Sequence, residues 1–168
     1  GTLERGGVVT PVNPALTQAE MAKQLADARA RYVITSAELA PAVTEAARAA
    51  RVMVVGTPEL RGPAFTPEPS APADLAALPY SSGTTGFPKG VMLTHRNLTA
   101  NIVQVEGVFK CDEDDVLLAV LPYFHIYGIV IFLSFGLRAG VTIVNMARFD
   151  LEQYLELIQR YGVTYLHL

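Results

Sequence analysis

The segment of this sequence best suited to chemistry is the eleven-residue stretch 80–90, which reads Tyr-Ser-Ser-Gly-Thr-Thr-Gly-Phe-Pro-Lys-Gly. It holds three glycines, four serine or threonine hydroxyls and one lysine, in a chain where only 17% of the residues are charged. Glycine-rich backbone can turn its N–H groups inward around an anion, hydroxyls add further donors, and an ammonium adds positive charge. A polyphosphate needs all three, so this loop is predicted to bind nucleotide phosphates.

The residue order separates this loop from a Walker A loop, which reads G-x-x-x-x-G-K-[ST] and opens a helix. Here Gly90 follows the lysine, and Pro88 disfavours a helical conformation at Phe87. The loop is therefore expected to join two extended segments. A flexible serine–glycine linker is the alternative, but the apolar runs on both sides and the Pro-Lys-Gly sequence argue against it.

Two longer motifs extend this pattern. Residues 81–91 read Ser-Ser-Gly-Thr-Thr-Gly-Phe-Pro-Lys-Gly-Val, with Leu-Thr-His-Arg-Asn-Leu at 93–98, and residues 121–128 read Leu-Pro-Tyr-Phe-His-Ile-Tyr-Gly. The first resembles the AMP-binding signature of the adenylate-forming enzymes, which include acyl-CoA synthetases, luciferases and peptide-synthetase adenylation domains. The second resembles their next core motif, most closely that of the 4-coumarate-CoA ligases. Residues 6–14 are similar to the same enzymes, so the likeness runs over nearly the whole chain in matching order.

The resemblance implies specific roles for several residues. The loop is expected to contact the β- and γ-phosphates of ATP and to move as pyrophosphate departs. His125 and Tyr127 are expected to line the acyl-substrate pocket, without His125 acting as a nucleophile, and Arg148 is expected to contact a phosphate of coenzyme A. Catalytic roles are implied for Lys89, Thr85 and His125. The implied nucleotide-binding residues are Ser81, Ser82, Gly83, Thr84, Thr85, Gly86 and Lys89.

Each of these residues also has an ordinary structural explanation. The loop hydroxyls can bond the backbone of their own turn, and Lys89 can be a solvated turn lysine. Tyr127 can be a core tyrosine and Arg148 a surface arginine. A lone histidine at the start of an apolar helix is usually a satisfied core residue, so the pattern alone leaves His125 open. His167, in the last apolar segment, has no partner that the spacing identifies.

Strands and helices alternate along the chain, which predicts an α/β fold with βαβ units around a largely parallel sheet. A capping box at Thr17 and a cap at Asp150 each open a helix, and Leu151, Leu155 and Ile158 are predicted to share one face of the second. Residues 57–79 hold six of the eleven prolines and are expected to form a surface connection before the phosphate loop at 80–91. The remaining elements are expected at 8–12, 32–35, 52–55, 116–121, 141–146 and 163–168 (strands) and at 41–50, 94–108 and 124–137 (helices).

Composition excludes several classes of protein. A net charge of −3 gives no basic surface for nucleic acid. The single cysteine, Cys111, excludes an internal disulfide framework and fits a cytoplasmic location. The acidic run 112–115 lacks the alternation of a calcium loop. Residues 116–137 carry no formal charge over a length that could span a bilayer, but Pro122 and His125 within them favour a strand followed by a buried helix.

The whole chain, 1–168, is expected to be part of an AMP-binding domain, because it stops in an apolar strand before the family's later motifs. The resemblance implies an acid–thiol ligase that uses ATP, Mg²⁺ and coenzyme A on a small carboxylic acid, either aryl or fatty. Its partner would be the remainder of the enzyme, namely the rest of the N-terminal domain and a C-terminal lid, and the chain alone is expected to be inactive. Two alternatives remain open: an adenylation domain that loads a carrier protein, and a non-catalytic nucleotide-binding remnant.

Overall fold

The computed structural model describes residues 2–56, 66–67, 69–81 and 88–167. Helices and strands alternate in these ranges, so the predicted α/β class is confirmed. The helices are α1 (Gln18–Asp27), α2 (Ala40–Ala46), α3 (His95–Val108), α4 (Gly136–Ala139) and α5 (Leu151–Tyr161), with a 3₁₀ turn at Leu3–Arg5 and a π-helix at Gly128–Phe135. The strands are β1 (Tyr32–Thr35), β2 (Arg51–Val54), β3 (Leu75–Ala77), β4 (Tyr80–Ser81), β5 (Lys89–Gly90), β6 (Leu93–Thr94), β7 (Val116–Ala119), β8 (Thr142–Asn145) and β9 (Tyr165–Leu166).

The chain divides into two compact units, residues 1–70 with 76–92, and residues 71–75 with 93–168. In the first unit β1 and β2 pair in parallel, from Tyr32 opposite Arg51 to Thr35 opposite Val54. Helices α1 and α2 bury their apolar residues in one cluster that also contacts these strands. The buried members are Met21, Leu25, Val43, Ala46 and Ala47.

The start of α1 confirms the predicted capping box. The Thr17 hydroxyl accepts from the Glu20 backbone N–H at 3.3 Å, and the Glu20 carboxylate accepts from the Thr17 N–H at 2.8 Å. Hydrogen bonds from the Thr17 side chain and then its backbone lower the pKa of Glu20. The strand expected at 8–12 is wrong, since only Val9 forms a bridge there, to Ala77; Pro11 has no N–H to continue a ladder.

The second unit contains a three-stranded sheet in the order β8–β7–β9, with both pairs parallel. β7 lies at its centre, where Leu117 and Leu118 are completely buried. The predicted parallel pairing is therefore confirmed, although the described strands form several small sheets instead of one large one.

The two long helices of this unit have side-chain caps at their first turns. Thr94 caps α3 in a capping box with Asn97. Asp150 caps α5 by accepting from the Gln153 backbone N–H at 2.9 Å, and Gly162 ends that helix at a φ of 60°. A positive φ is adopted by glycine without steric cost. The predicted ends of α5 are thus confirmed.

The three residues predicted to share one face of α5 all lie within this helix, but its buried residue is a different one. Leu151 and Leu155 are 60% and 57% exposed, whereas Tyr154 is 6% exposed and packs in a cluster with Leu118. Ile158 lies at the edge of that cluster. The helix is rotated so that its aromatic residue contacts β7.

The apolar helix expected at 124–137 is present, but its middle is a π-helix. The Gly136 N–H donates to the carbonyl of Ile131, and the Ser134 hydroxyl donates to that of Ile129 at 2.8 Å, so the bonds span five residues. The wide turn buries Phe132 and Phe135 almost completely. In the described ranges no helix is long and apolar enough to cross a membrane.

Candidate functional site

The phosphate-loop motif is carried on an antiparallel hairpin. β4 pairs with β5, so that Tyr80 lies opposite Gly90 and Ser81 opposite Lys89, and the Val91 N–H donates to the Pro79 carbonyl at 2.8 Å. The expectation that the loop joins two extended segments is confirmed at these described ends. The tip, residues 82–87, lies outside the described residues, and with it Ser82, Gly83, Thr84, Thr85 and Gly86.

The hairpin brings together two of the predicted phosphate-binding residues. Residues directly opposite each other on antiparallel strands project to the same face with Cβ atoms about 5 Å apart. Ser81 and Lys89 form such a pair, and both are exposed. A hydroxyl donor and an ammonium are thus adjacent at the pair of residues that flanks the connecting loop, which is a suitable donor set for an anion.

A cavity of about 730 Å³ lies between α1 and the hairpin within the first unit. Its charged lining residues are Glu20, Lys23, Asp27 and Lys89. The charges of the two carboxylates balance those of the two ammonium groups, so the cavity carries no excess of positive charge. The assignment of phosphate binding therefore depends on the hairpin and not on this cavity.

One hydrogen bond connects the hairpin to α1. The Tyr80 hydroxyl donates to Asp27 Oδ2 at 2.5 Å, across 53 positions of sequence. Burial, followed by the hydrogen bond to the Asp27 carboxylate and its charge, raises the pKa of Tyr80 well above its usual range. Tyr80 therefore remains a donor at any working pH. No local sequence pattern relates Tyr80 to Asp27, so this bond was not predicted.

His125 lies directly before the helical stretch of the second unit. Its backbone N–H donates to the Pro122 carbonyl at 3.1 Å, and its ring Nδ1 accepts from the Tyr127 N–H at 3.3 Å. The side chain is exposed, so it is not the satisfied core histidine that the pattern allowed.

Tyr127 is held by His167, for which the residue spacing predicted no partner. Its hydroxyl lies 2.5 Å from Nδ1 of His167, which is 8% exposed and contacts the rings of Phe109 and Phe132. Burial lowers the pKa of His167, which favours the neutral ring, and Nδ1 shares one hydrogen bond with the Tyr127 hydroxyl whose direction is set by the ring tautomer. Only the pairing of β9 with β7 brings these residues together, since they are 40 positions apart.

Arg148 is exposed in the bend between β8 and α5, two residues before the Asp150 cap. It belongs to the second unit with His125 and Tyr127, whereas Ser81 and Lys89 belong to the first. The implied roles of all five remain predictions. Within the described ranges, no group of three or more His, Cys, Asp or Glu side chains is arranged to hold a metal ion.

The lowered pKa of His167 makes the free energy of unfolding depend on pH. Between that pKa and the ordinary value of about 6.5, the unfolded chain binds more protons than the native state. The contribution of His167 to the free energy of unfolding is therefore expected to be fully present above about pH 6.5, and to be lost as the pH drops from there toward the lowered pKa. Denaturant unfolding of the full-length wild type and His167→Phe at several pH values across this range measures the effect. The two proteins are compared in how steeply the free energy of unfolding changes with pH.

The matched variant is Tyr127→Phe, which removes the hydroxyl but keeps the imidazole. It is expected to retain the acid-dependent loss, whereas His167→Phe lacks it. If the free energy of unfolding depends on pH in the same way in wild type and His167→Phe, the lowered pKa is wrongly assigned to His167.

The sequence matches the AMP-binding enzyme family over residues 1–168, and the chain belongs to that family. Its relatives include 4-coumarate–CoA ligase 1 of Petroselinum crispum, which is 39% identical over 98% of this chain and 33% of the relative. The fold matches the crystal structure of ATP-bound MatB from Rhodopseudomonas palustris with a TM-score of 0.83 and 32% identity, over 98% of this chain and 35% of that one. It also matches O-succinylbenzoate coenzyme A synthetase (MenE) from Bacillus subtilis, in complex with ATP and magnesium ion, with a TM-score of 0.77 and 29% identity over 95% and 33% of the two chains.

The chain thus spans about a third of the length of these relatives. The resemblance found in the two sequence motifs is confirmed by the family match.

Proposed function

We propose that the full-length protein containing this chain joins a carboxylic acid to coenzyme A in two steps. The carboxylate oxygen attacks the α-phosphorus of ATP, which forms an acyl-adenylate and releases pyrophosphate. The thiolate of coenzyme A then attacks the acyl carbon and releases AMP. The observation that carries the proposal is the hairpin that places Lys89 opposite Ser81 within the phosphate-loop motif.

The relatives support the choice of co-substrates. The Petroselinum crispum relative is a CoA ligase by name, and the solved relatives contain ATP, in one case with a magnesium ion. Ser81 and Lys89 offer a hydroxyl and an ammonium, which both donate to phosphate oxygens. The ammonium is no ligand for Mg²⁺, so the ion would be held through the phosphate oxygens of ATP. Mg²⁺ when bound would neutralise phosphate charge. A small aryl or fatty acid is the proposed acyl substrate.

The proposed residue roles are those that the family resemblance implies. Lys89, Ser81 and the loop tip, with Thr85 in a catalytic role, hold the β- and γ-phosphates, so that catalysis is mainly positioning and charge neutralisation. His125 and Tyr127 line the acyl pocket, and the His167 hydrogen bond fixes the Tyr127 ring for that purpose. Arg148 contacts a coenzyme A phosphate.

The proposed setting is the cytoplasm, with residues 1–168 as part of one AMP-binding domain. The proline-rich residues 57–79 are proposed to be the connection that precedes the phosphate loop, but its last part is not at the surface, because β3 buries Ala76 and Ala77. The rest of the N-terminal domain and a C-terminal lid are the proposed partners of this chain in one enzyme.

The test is ATP–pyrophosphate exchange by the full-length protein with a panel of aryl, fatty and amino acids, followed by an assay for CoA thioesters. Exchange with an aryl or fatty acid, and a thioester of the same acid, are expected. Exchange confined to amino acids without thioester formation would replace the proposal with the carrier-protein alternative. Absence of exchange with every acid would favour the non-catalytic alternative.

The isolated 168-residue chain is expected to catalyse no exchange. The relatives are about three times as long, and positioning catalysis fails when part of the site is missing. The measurement compares exchange by the isolated chain and the full-length protein at equal concentration, after circular dichroism has shown that the chain is folded. Robust adenylate formation by the chain alone would contradict this expectation.

A further inference from the structure

The described part of the phosphate hairpin is too short to fix its own position. It pairs over only two residues on each strand, and an isolated two-stranded hairpin is marginally stable at best. A loop that must hold phosphates in one geometry therefore needs contacts outside the hairpin. Contacts of that kind connect it to α1.

The end of α1 is a rigid support for such contacts. Its apolar face is buried through Met21 and Leu25. The helix closes directly after Asp27, where the Ala28 N–H donates to the Gln24 carbonyl and the Ala30 N–H to the Leu25 carbonyl, each at 2.9 Å. Asp27 is thereby held on the last turn of a packed helix.

Helix stability does not explain an aspartate at this position. The C-terminal end of a helix carries partial negative charge, so a carboxylate there is unfavourable. Asp27 is the last residue of α1, and its Oδ2 accepts the 2.5 Å hydrogen bond from Tyr80. The tyrosine is the first residue of β4, adjacent in sequence to Ser81 and opposite Gly90, the neighbour of Lys89.

A second path ties the segment before the hairpin to the same helix. The Thr10 hydroxyl donates to the Leu78 carbonyl at 2.8 Å, and the Gln24 side chain donates to the Pro11 carbonyl at 3.0 Å. This path holds the backbone that leads into β4. The Tyr80–Asp27 bond reaches the hairpin strands themselves from α1.

We propose that Asp27 and Tyr80 are positioning residues for the phosphate loop, whose hydrogen bond holds the base of the hairpin on α1 so that Lys89 and Ser81 keep the spacing that ATP requires. This inference rests on the proposed function of the loop. Neither side chain touches the reacting atoms. Loss of the bond leaves the fold in place, because α1 keeps its buried face, but it lets the hairpin shift across the cavity that separates it from the helix.

The test uses the full-length protein with Tyr80→Phe, Asp27→Asn, Asp27→Ala and the double variant Tyr80→Phe/Asp27→Ala. Tyr80→Phe and Asp27→Ala are each expected to raise the KM for ATP by about three- to tenfold, with a smaller rise for Asp27→Asn, which keeps a neutral acceptor. The double variant is expected to match the larger single effect, because both changes remove one interaction. The KM for the acid is expected to change little.

Matched controls are available in the same unit. Tyr32→Phe removes a hydroxyl from a tyrosine that is 60% exposed in β1, and Glu45→Gln removes a carboxylate from an exposed position of α2. Neither is expected to change the KM for ATP. Thermal unfolding of each variant shows whether it is folded.

Equal rises in the KM for ATP and for the acid, in step with a fall in Tm, would show a merely structural bond and overturn the inference. So would an unchanged KM for ATP in both Tyr80→Phe and Asp27→Ala, or fully additive effects in the double variant. ATP affinity is measured in parallel by titration calorimetry. If the wild type binds ATP but does not catalyse ATP–pyrophosphate exchange, the proposed function is contradicted while the inference about the bond is not. The ratio of the ATP Kd values of variant and wild type then still tests the Tyr80–Asp27 bond. A wild type that does not bind ATP would overturn both.

Discussion

Replacing Lys89 with alanine is expected to lower the rate of ATP–pyrophosphate exchange by the full-length protein by about ten- to a hundredfold. Lys89 lies opposite Ser81 at the base of the phosphate loop. Alanine at this position offers no polar group in place of the ammonium. Charge-assisted hydrogen bonds to phosphate contribute about 1.5–3 kcal/mol each, which corresponds to this range. Initial exchange rates at saturating acid and varied ATP measure the loss.

Lys110→Ala is the matched control, because it removes an exposed lysine whose ammonium donates to the Glu106 backbone carbonyl at 3.5 Å. It is expected to leave exchange unchanged. Lys89→Arg is expected to recover part of the activity, since the charge is kept but the compact ammonium is replaced by a planar fork. Full activity in Lys89→Ala would remove the basis of the proposed function.

Gly128→Ala is expected to destabilise the protein by about 1–3 kcal/mol, the usual cost of forcing an extra methyl into a packed site. A Cβ at this position would lie 2.4 Å from the Pro122 carbonyl oxygen and 2.9 Å from the Cα of Tyr123. Both are backbone atoms, which cannot rotate away. The segment that leads to His125 would have to move. Thermal unfolding of the full-length protein, with the KM for the acid, measures both consequences.

Gly107→Ala is the control, because a Cβ there meets no atom within 4 Å and the residue lies inside α3. Alanine is favoured over glycine in a helix by about 0.5–1 kcal/mol, so this variant is expected to be neutral or more stable. A Tm for Gly128→Ala equal to that of Gly107→Ala would contradict the close approach of Pro122 and Gly128.

Features that depend on a few neighbouring residues were predictable from the sequence. The capping boxes at Thr17 and Thr94, the Asp150 cap and the Gly162 terminus each satisfy backbone groups within one helical turn, so their signals are local. The hairpin was predictable for the same reason, because Pro88 excludes a helix beside the lysine. Residue order in two motifs was enough to assign the family.

Features that depend on distant residues were not predictable. The Tyr80–Asp27 and Tyr127–His167 bonds join positions 53 and 40 apart, and nothing in either local sequence marks the partner. The burial of Tyr154 in α5 was not predictable, because Leu155 and Tyr154 are both apolar and only the position of β7 decides which of them is buried. Burial within a helix is a tertiary property.

The π-helix makes the orientation of Tyr127 sensitive to the number of residues in the helix. Each residue of a regular helix turns the chain by about 100° around the axis, and a π-bulge accommodates one residue beyond the regular count. Removing a single residue between Ile129 and Ser134 would allow an ordinary helix to form, and would thereby swing Tyr127 away from His167 while Phe135 stayed in place. Engineering of this region is therefore restricted to substitutions, since an insertion or deletion would redirect the tyrosine without altering any residue that contacts it.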